Sequence, residues 1–318
     1  MYFIDIHTHV YPDAIAQKAT DSIRTFYDIG GAGMNGTVSM LLTRGAAAGV
    51  RKFAILPVAQ NPERTRSINE FILQQTAEHQ EFIGFGAVHA QMENVAEEAQ
   101  YIMDKGLRGI KIHPDSQRFP IDDPRLFPVY ESISGRIPVI VHMGDHRFDY
   151  SLPSRLRHVL DLFPKLDAIA AHFGGYEMYE DAYQQLKDTE CIFDISSSLM
   201  FMEPGLPEHF INLYGAERMA YGTDYPLWDP IEEAKQFLKM KLTPDQLEQI
   251  AHKTAERFFG RSAPADLCQA SAPSAAVPPE QDPIQDNPYQ RPAVRHRSDS
   301  HNAPRLPCSK TSGYWRCP

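Results

Sequence analysis

Five histidines, a lysine and two aspartates stand at or just beyond the ends of short apolar runs, and the first pair comes almost at once, in Ile4-Asp5-Ile6-His7-Thr8-His9. Tyr2 to Ile6 reads as a buried strand with His7 and His9 at its C-terminal end. Residues two apart on a strand share a face, with Cα atoms about 6.6 Å apart. Two imidazoles so placed can converge on one cation at about 2.0–2.1 Å. Later runs end in Lys111 and His113, in His142, in His172, in Asp194 and in Asp224. Imidazole and carboxylate are the ligands of a borderline divalent cation such as Zn²⁺. A lone histidine at a strand end is most often a buried group satisfied by hydrogen bonds. A set repeated at equivalent ends of several strands is what a metal site with an adjoining proton carrier requires.

Such a set needs a scaffold that brings strand ends together. Eight apolar runs, at 2–7, 53–58, 82–88, 108–113, 137–142, 167–172, 190–195 and 218–223, alternate with helical patterns. Most lack polar alternation, as expected of parallel strands buried on both faces. Leu152, Leu156, Val159, Leu160 and Phe163 form one apolar helical stripe, with Ser151 and Pro153 as start signals, and Ile68, Phe71 and Ile72 begin another. Thr243-Pro244-Asp245-Gln246 is a capping box and Gly260 a stop. Eight β–α repeats in about 250 residues predict an α/β fold, a (β/α)8 TIM barrel over 1–260 with its site at the C-terminal strand ends. A doubly wound sheet is disfavoured, because no glycine-rich phosphate loop follows the first strand. Gly30, Gly31, Gly33 and Gly36 predict a mobile flap within 10–36.

Composition narrows the classes further. The chain has 318 residues and a net charge of −10, which argues against a nucleic-acid partner. No run approaches the roughly 18 apolar residues of a membrane span. The first strand begins at residue 2 or 3, so removal of a leader would take His7 and His9 with it, and a cytoplasmic location is expected. Residues 261–318 hold 10 of the 25 prolines and Cys268, Cys308 and Cys317. They are expected to be a disordered tail with unpaired cysteines.

Taken as an ordered set, Asp5-Ile6-His7-Thr8-His9, Gly109-Ile110-Lys111-Ile112-His113-Pro114, Val141-His142-Met143-Gly144, Ala171-His172-Phe173-Gly174-Gly175 and Gly222-Thr223-Asp224-Tyr225-Pro226 resemble the amidohydrolase superfamily. The likeness is to its amidohydrolase-related branch of lactone hydrolases and zinc-dependent decarboxylases of aminocarboxymuconate semialdehyde and resorcylate-type acids. The resemblance implies one divalent metal, usually zinc, on His7, His9 and His142 with Asp224 near or on it, and His172 as a catalytic histidine. Lys111 would be a carbamylated bridge if two metals were bound, or a cation paired with Asp5 or Asp194; one metal is the expectation. Asp224 would take the proton of an activated water and Asp5 would fix a ligand tautomer or pair with Lys111. His113, Lys111, Asp194 and Trp228 are expected to contact substrate. His89, His146, Arg147 and Tyr225 are weaker candidates for the pocket.

The function so implied is hydrolysis of a small carboxylated or cyclic substrate, a lactone or amide. The alternative is non-oxidative decarboxylation at the same metal, with Asp224 or His172 protonating carbon. The short 10–36 segment counts mildly against the second. A non-catalytic barrel is disfavoured by the intact ligand set. A small-molecule substrate and a homodimer are the partners the resemblance implies.

Overall fold

The computed structural model describes residues 1–30 and 34–260. Gly31, Gly33 and the proline-rich segment 261–318 with its cysteines lie outside the described residues. Among the described residues nine strands run parallel: β1 (Phe3–Thr8), β2 (Val50–Ile55), β3 (Phe82–Gly84), β4 (Gly86–Ala87), β5 (Ile110–Ile112), β6 (Val139–Val141), β7 (Ala168–Ala170), β8 (Ile192–Asp194) and β9 (Met219–Ala220). They pair in chain order, β1 to β3 in one sheet and β4 to β9 in another. The two sheets are one barrel. The third predicted run is broken at Phe85, whose N–H donates to Ile55 O on β2 while Gly86 N–H donates to Gly109 O. At the other seam Ile6 N–H donates to Tyr221 O, and Thr8 bridges Tyr225. Eight staves therefore close, as the (β/α)8 pattern requires.

The double burial of these runs is visible in how their residues sort. Ile4, Ile6, Ala54, Ile83, Phe85, Ile140, Ile169, Ile192 and Ala220 form one apolar cluster filling the barrel. Val139, Val141, Ala168, Ala170 and Phe193 pack the other way, against helix residues such as Leu156, Val159 and Leu186. Gly109 is needed where it stands, since a Cβ there would fall 2.1 Å from the Phe85 ring.

The predicted helices form with shifted ends. The 151–163 stripe becomes Pro153–Leu162, with proline in its first turn and no side-chain cap from Ser151. The closing stretch begins with the full Thr243–Gln246 capping box, opens into a π-turn at Gln249–Lys253 and continues as Thr254–Gly260. The wide turn frees Ile250 O to accept from Tyr221 N–H at the barrel seam, 2.9 Å away. The 10–36 segment holds a 14-residue helix, Asp13–Phe26, ahead of Val38–Ala48, and the glycine flap expected after it falls in part on Gly31 and Gly33, outside the described residues. Ile15, Ala19, Ile23 and Phe26 recur at helical spacing and face the barrel mouth.

Candidate functional site

The strand ends deliver their polar side chains to one buried cluster. His7 is fixed first. Its Nδ1–H donates to Asp194 Oδ2 at 2.8 Å, leaving the Nε2 lone pair to accept from Lys111 Nζ at 3.1 Å. His9 is fixed the same way, its Nδ1–H donating to Leu56 O at 2.6 Å. Both Nε2 atoms turn toward Asp224 Oδ1, at 3.7 Å from His7 and 3.3 Å from His9. Burial first, and then Lys111, push His7 down to about 4, so its imidazole is neutral at physiological pH. Burial would raise Asp224, but the imidazoles of His7 and His9 beside it outweigh burial and hold the carboxyl well below its usual range.

Acceptor atoms thus converge with no proton of their own to share. The Nε2 and carboxylate oxygen of His7, His9 and Asp224 all lie within 4.8 Å of one another and are buried. This is a donor set a divalent cation satisfies. Two further groups meet the same spacing among the described residues: His7, His172 and Asp194, and His113, Asp115 and His142.

A second chain of hydrogen bonds fixes the other imidazoles. His172 Nδ1–H donates to Ser196 O at 3.0 Å, so its Nε2 accepts from His142 Nδ1–H, also at 3.0 Å. The His142 Nε2 lone pair is left to accept from the Tyr27 hydroxyl at 3.2 Å. His113 stacks on His142 with centroids 3.9 Å apart, and its Nε2–H donates to the Tyr27 oxygen at 2.9 Å. Burial, helped by Lys111 and the neighbouring imidazoles, pushes His113 and His142 well below the usual histidine range, so both are neutral.

Support lies beneath. Asp194 is fully buried, and its Oδ1 accepts from His172 N–H, Ser196 N–H and Ser196 Oγ–H. Asp224 is steadied by Ser197 Oγ–H at 2.5 Å, which in turn accepts from Trp228 Nε1–H. Asp224 and His172 sit in left-handed backbone, φ +59° and +58°, a region non-glycine residues seldom occupy. Such conformations concentrate at functional sites.

Above the cluster opens a cavity of about 370 Å³. His7, His9, His113, His142 and Asp224 form its polar end, while Ile15, Ile23, Phe26, Val58 and Leu227 supply apolar wall. Exposed Lys18 and Ser22 reach it from helix Asp13–Phe26. A chamber of about 20 Å³ lies beside it, lined by His172, Ser197, Phe201 and Trp228, and sharing Tyr27, His142, Asp224 and Leu227 with the large one.

The expected residues therefore part company. His7, His9 and Asp224 meet, and His142 adjoins them in the same cavity wall. His113 lines the cavity. Lys111 and Asp194, read from sequence as substrate contacts, line neither cavity; each is buried against His7, which absorbs the hydrogen bond a substrate would need. Trp228 and His172 border the small chamber, not the large one. Asp5 does not fix a tautomer: it accepts from His7 N–H and from Thr223 N–H and Oγ–H. Arg147 grips Asp145, His146 pairs with Glu177, His89 accepts from Gln91 N–H, and Tyr225 donates to Thr37 O; none of them lines either cavity. Sequence reasoning missed Tyr27, Ser196 and Ser197. The two serines follow Asp194 at a strand end, a signal of the same kind as the others; Tyr27 carries none.

The family described as Amidohydrolase matches residues 4–261. No curated protein sequence matches the chain. Among solved structures, an uncharacterised TIM-barrel protein of Bordetella bronchiseptica is 21% identical with a TM-score of 0.69, covering 82% of this chain and 99% of its own. A 5-carboxyvanillate decarboxylase of Sphingomonas paucimobilis is 16% identical, TM-score 0.62, over 81% and 99%. A dihydroxybenzoic acid decarboxylase of Polaromonas, solved with bound manganese, is 15% identical, TM-score 0.64, over 84% and 99%. At these identities the likeness is one of fold.

Proposed function

The chain belongs to the amidohydrolase family, and on that premise we propose that it is a cation-dependent carboxy-lyase releasing CO₂ from a small cyclic or aromatic acid. The observation that carries this reading is an apolar cavity closed at one end by imidazoles and a single carboxylate, Asp224. Loss of CO₂ disperses a localised carboxylate charge, and a water-poor wall of Ile15, Ile23, Phe26 and Leu227 favours that dispersal. Several solved structures of similar fold, the two named decarboxylases among them, carry the same reaction in their descriptions.

His7, His9 and Asp224, with His142, would hold the cation; bound there, it would supply positive charge against a substrate carboxylate and acidify a water. The chain's own groups do the rest. The apolar walls exclude bulk water and orient the ring. His113 Nε2–H, once released from the Tyr27 oxygen, offers a donor to a ring substituent. Lys18 and Ser22, which also line the cavity, offer an anion partner. Asp224, with one oxygen fixed by Ser197, would pass to the ring carbon the proton that replaces CO₂, taken from the acidified water. Manganese and zinc both suit nitrogen and oxygen donors, so the donor set supports either.

Hydrolysis of a lactone or amide is the second reading, favoured by the carboxylate beside converging imidazoles. The test is CO₂ release from a panel of hydroxybenzoates, by protein supplied with Mn²⁺ or Zn²⁺, set beside acid release from lactones and amides. CO₂ release that disappears in His9→Ala supports the carboxy-lyase. Acid release without CO₂ would replace it with the hydrolase.

A further inference from the structure

We infer that Tyr27 is a cap on His142 that a cation must displace, so that the ligand set is completed only when the Tyr27 hydroxyl leaves. The inference rests on the reading of His142 as a ligand and adds to it a residue no strand-end motif contains. His142 gives its Nδ1–H to His172, whose own Nδ1–H is committed to Ser196 O. Only Nε2 can ligate, and Tyr27 donates to that atom at 3.2 Å. The phenol is held in this orientation from its other side, because its oxygen accepts from His113 Nε2–H at 2.9 Å. A hydroxyl hydrogen and a metal ion cannot share one lone pair, and by the same rule Lys111 Nζ must also leave His7 Nε2 when a cation binds there.

The surroundings give Tyr27 somewhere to go. It is the residue that follows helix Asp13–Phe26, and it lines both the large cavity and the small chamber. A turn of its ring joins the two spaces and brings His172 and Trp228, now screened, into contact with the main cavity. Arg147 helps hold the helix end: it stacks over Phe26 and Tyr27, 4.7 and 5.3 Å from the ring centroids, and donates to Phe26 O.

The test is Co²⁺ affinity, read from visible absorbance, of the full chain and of Tyr27→Phe, which keeps the ring and removes the hydroxyl. Loss of one competing hydrogen bond should tighten binding roughly three- to tenfold. The gain should vanish in a His142→Ala background, where there is no lone pair to compete for. In the unmutated protein, Zn²⁺ should change the near-ultraviolet tyrosine circular dichroism in step with binding. Unchanged or weaker Co²⁺ binding in Tyr27→Phe, a gain that persists without His142, or a tyrosine signal unmoved by Zn²⁺ would each overturn the cap. Equal Co²⁺ binding by the full chain and by His7→Ala/His9→Ala would instead remove the metal reading beneath it.

Discussion

Asp194 acts entirely through its neighbours. One oxygen fixes the tautomer of His7; the other holds the backbone of His172 and both donors of Ser196. Partners of this kind set the direction and basicity of a ligating imidazole, and their loss costs about 10–100-fold in metal affinity. Asp194→Asn should therefore weaken Co²⁺ binding by about that factor, measured by competition with a chelator, although the residue lines neither cavity. Unchanged affinity would return Asp194 to a purely structural role. At this scale His7, His9, His113, His142, His172 and Asp224 were legible, because each stands at a strand end and residue type there speaks for itself. The roles of Lys111 and Asp194 were not. Whether a buried charge faces substrate or the back of a ligand depends on which strand lies beside it, and β1 meets β8 and β5 only across the closed barrel.

The element that most alters the reading of the sequence is helix Asp13–Phe26. Its glycine-rich sequel drew the expectation of a flap, while its own stripe of Ile15, Ala19, Ile23 and Phe26 is short and interrupted by polar residues. The strands were easier, being continuous apolar runs with no competing pattern; the second starts at Val50 and not at 53, and the break at Phe85 escaped, since it answers to Gly109 on the next stave. The helix is not part of the barrel, so its docking depends on few contacts, and segments of that kind open at low cost. The Arg147 clasp is the most specific of them, and Asp145 holds that guanidinium through two bonds, at 2.8 and 2.7 Å. Arg147→Ala should let the helix end open, so that trypsin cleaves after Lys18 and Arg24 several times faster while the main unfolding transition shifts by only a few degrees. Cleavage at the unmutated rate would show that the apolar stripe alone holds the helix.

Across the whole barrel, closure and site assembly are one event. The seam between β9 and β1 is built from Thr223 N–H and Oγ–H on Asp5, at 3.1 and 2.6 Å, and Asp224 N–H on His7 O at 2.8 Å. Asp5 is buried, and burial raises its carboxyl to about 7 despite these bonds. The hydroxyl of Thr223 is thus the chief side-chain partner of a poorly solvated group, and removing it leaves that group short of a donor. Thr223→Val keeps the shape and removes the bond, at a cost of about 1–3 kcal/mol. For a domain of this size that lowers Tm by roughly 2–4 °C per kcal/mol. Because Thr223 immediately precedes Asp224, and the same seam sets Asp224 against His7 and His9, Co²⁺ affinity should fall together with Tm. Calorimetry and cation titration of the one variant separate the cases. Loss of both follows if the seam positions the ligands; loss of Tm alone would mean that the site is held by its own network of Ser196, Ser197 and Asp194, independently of how tightly the barrel closes.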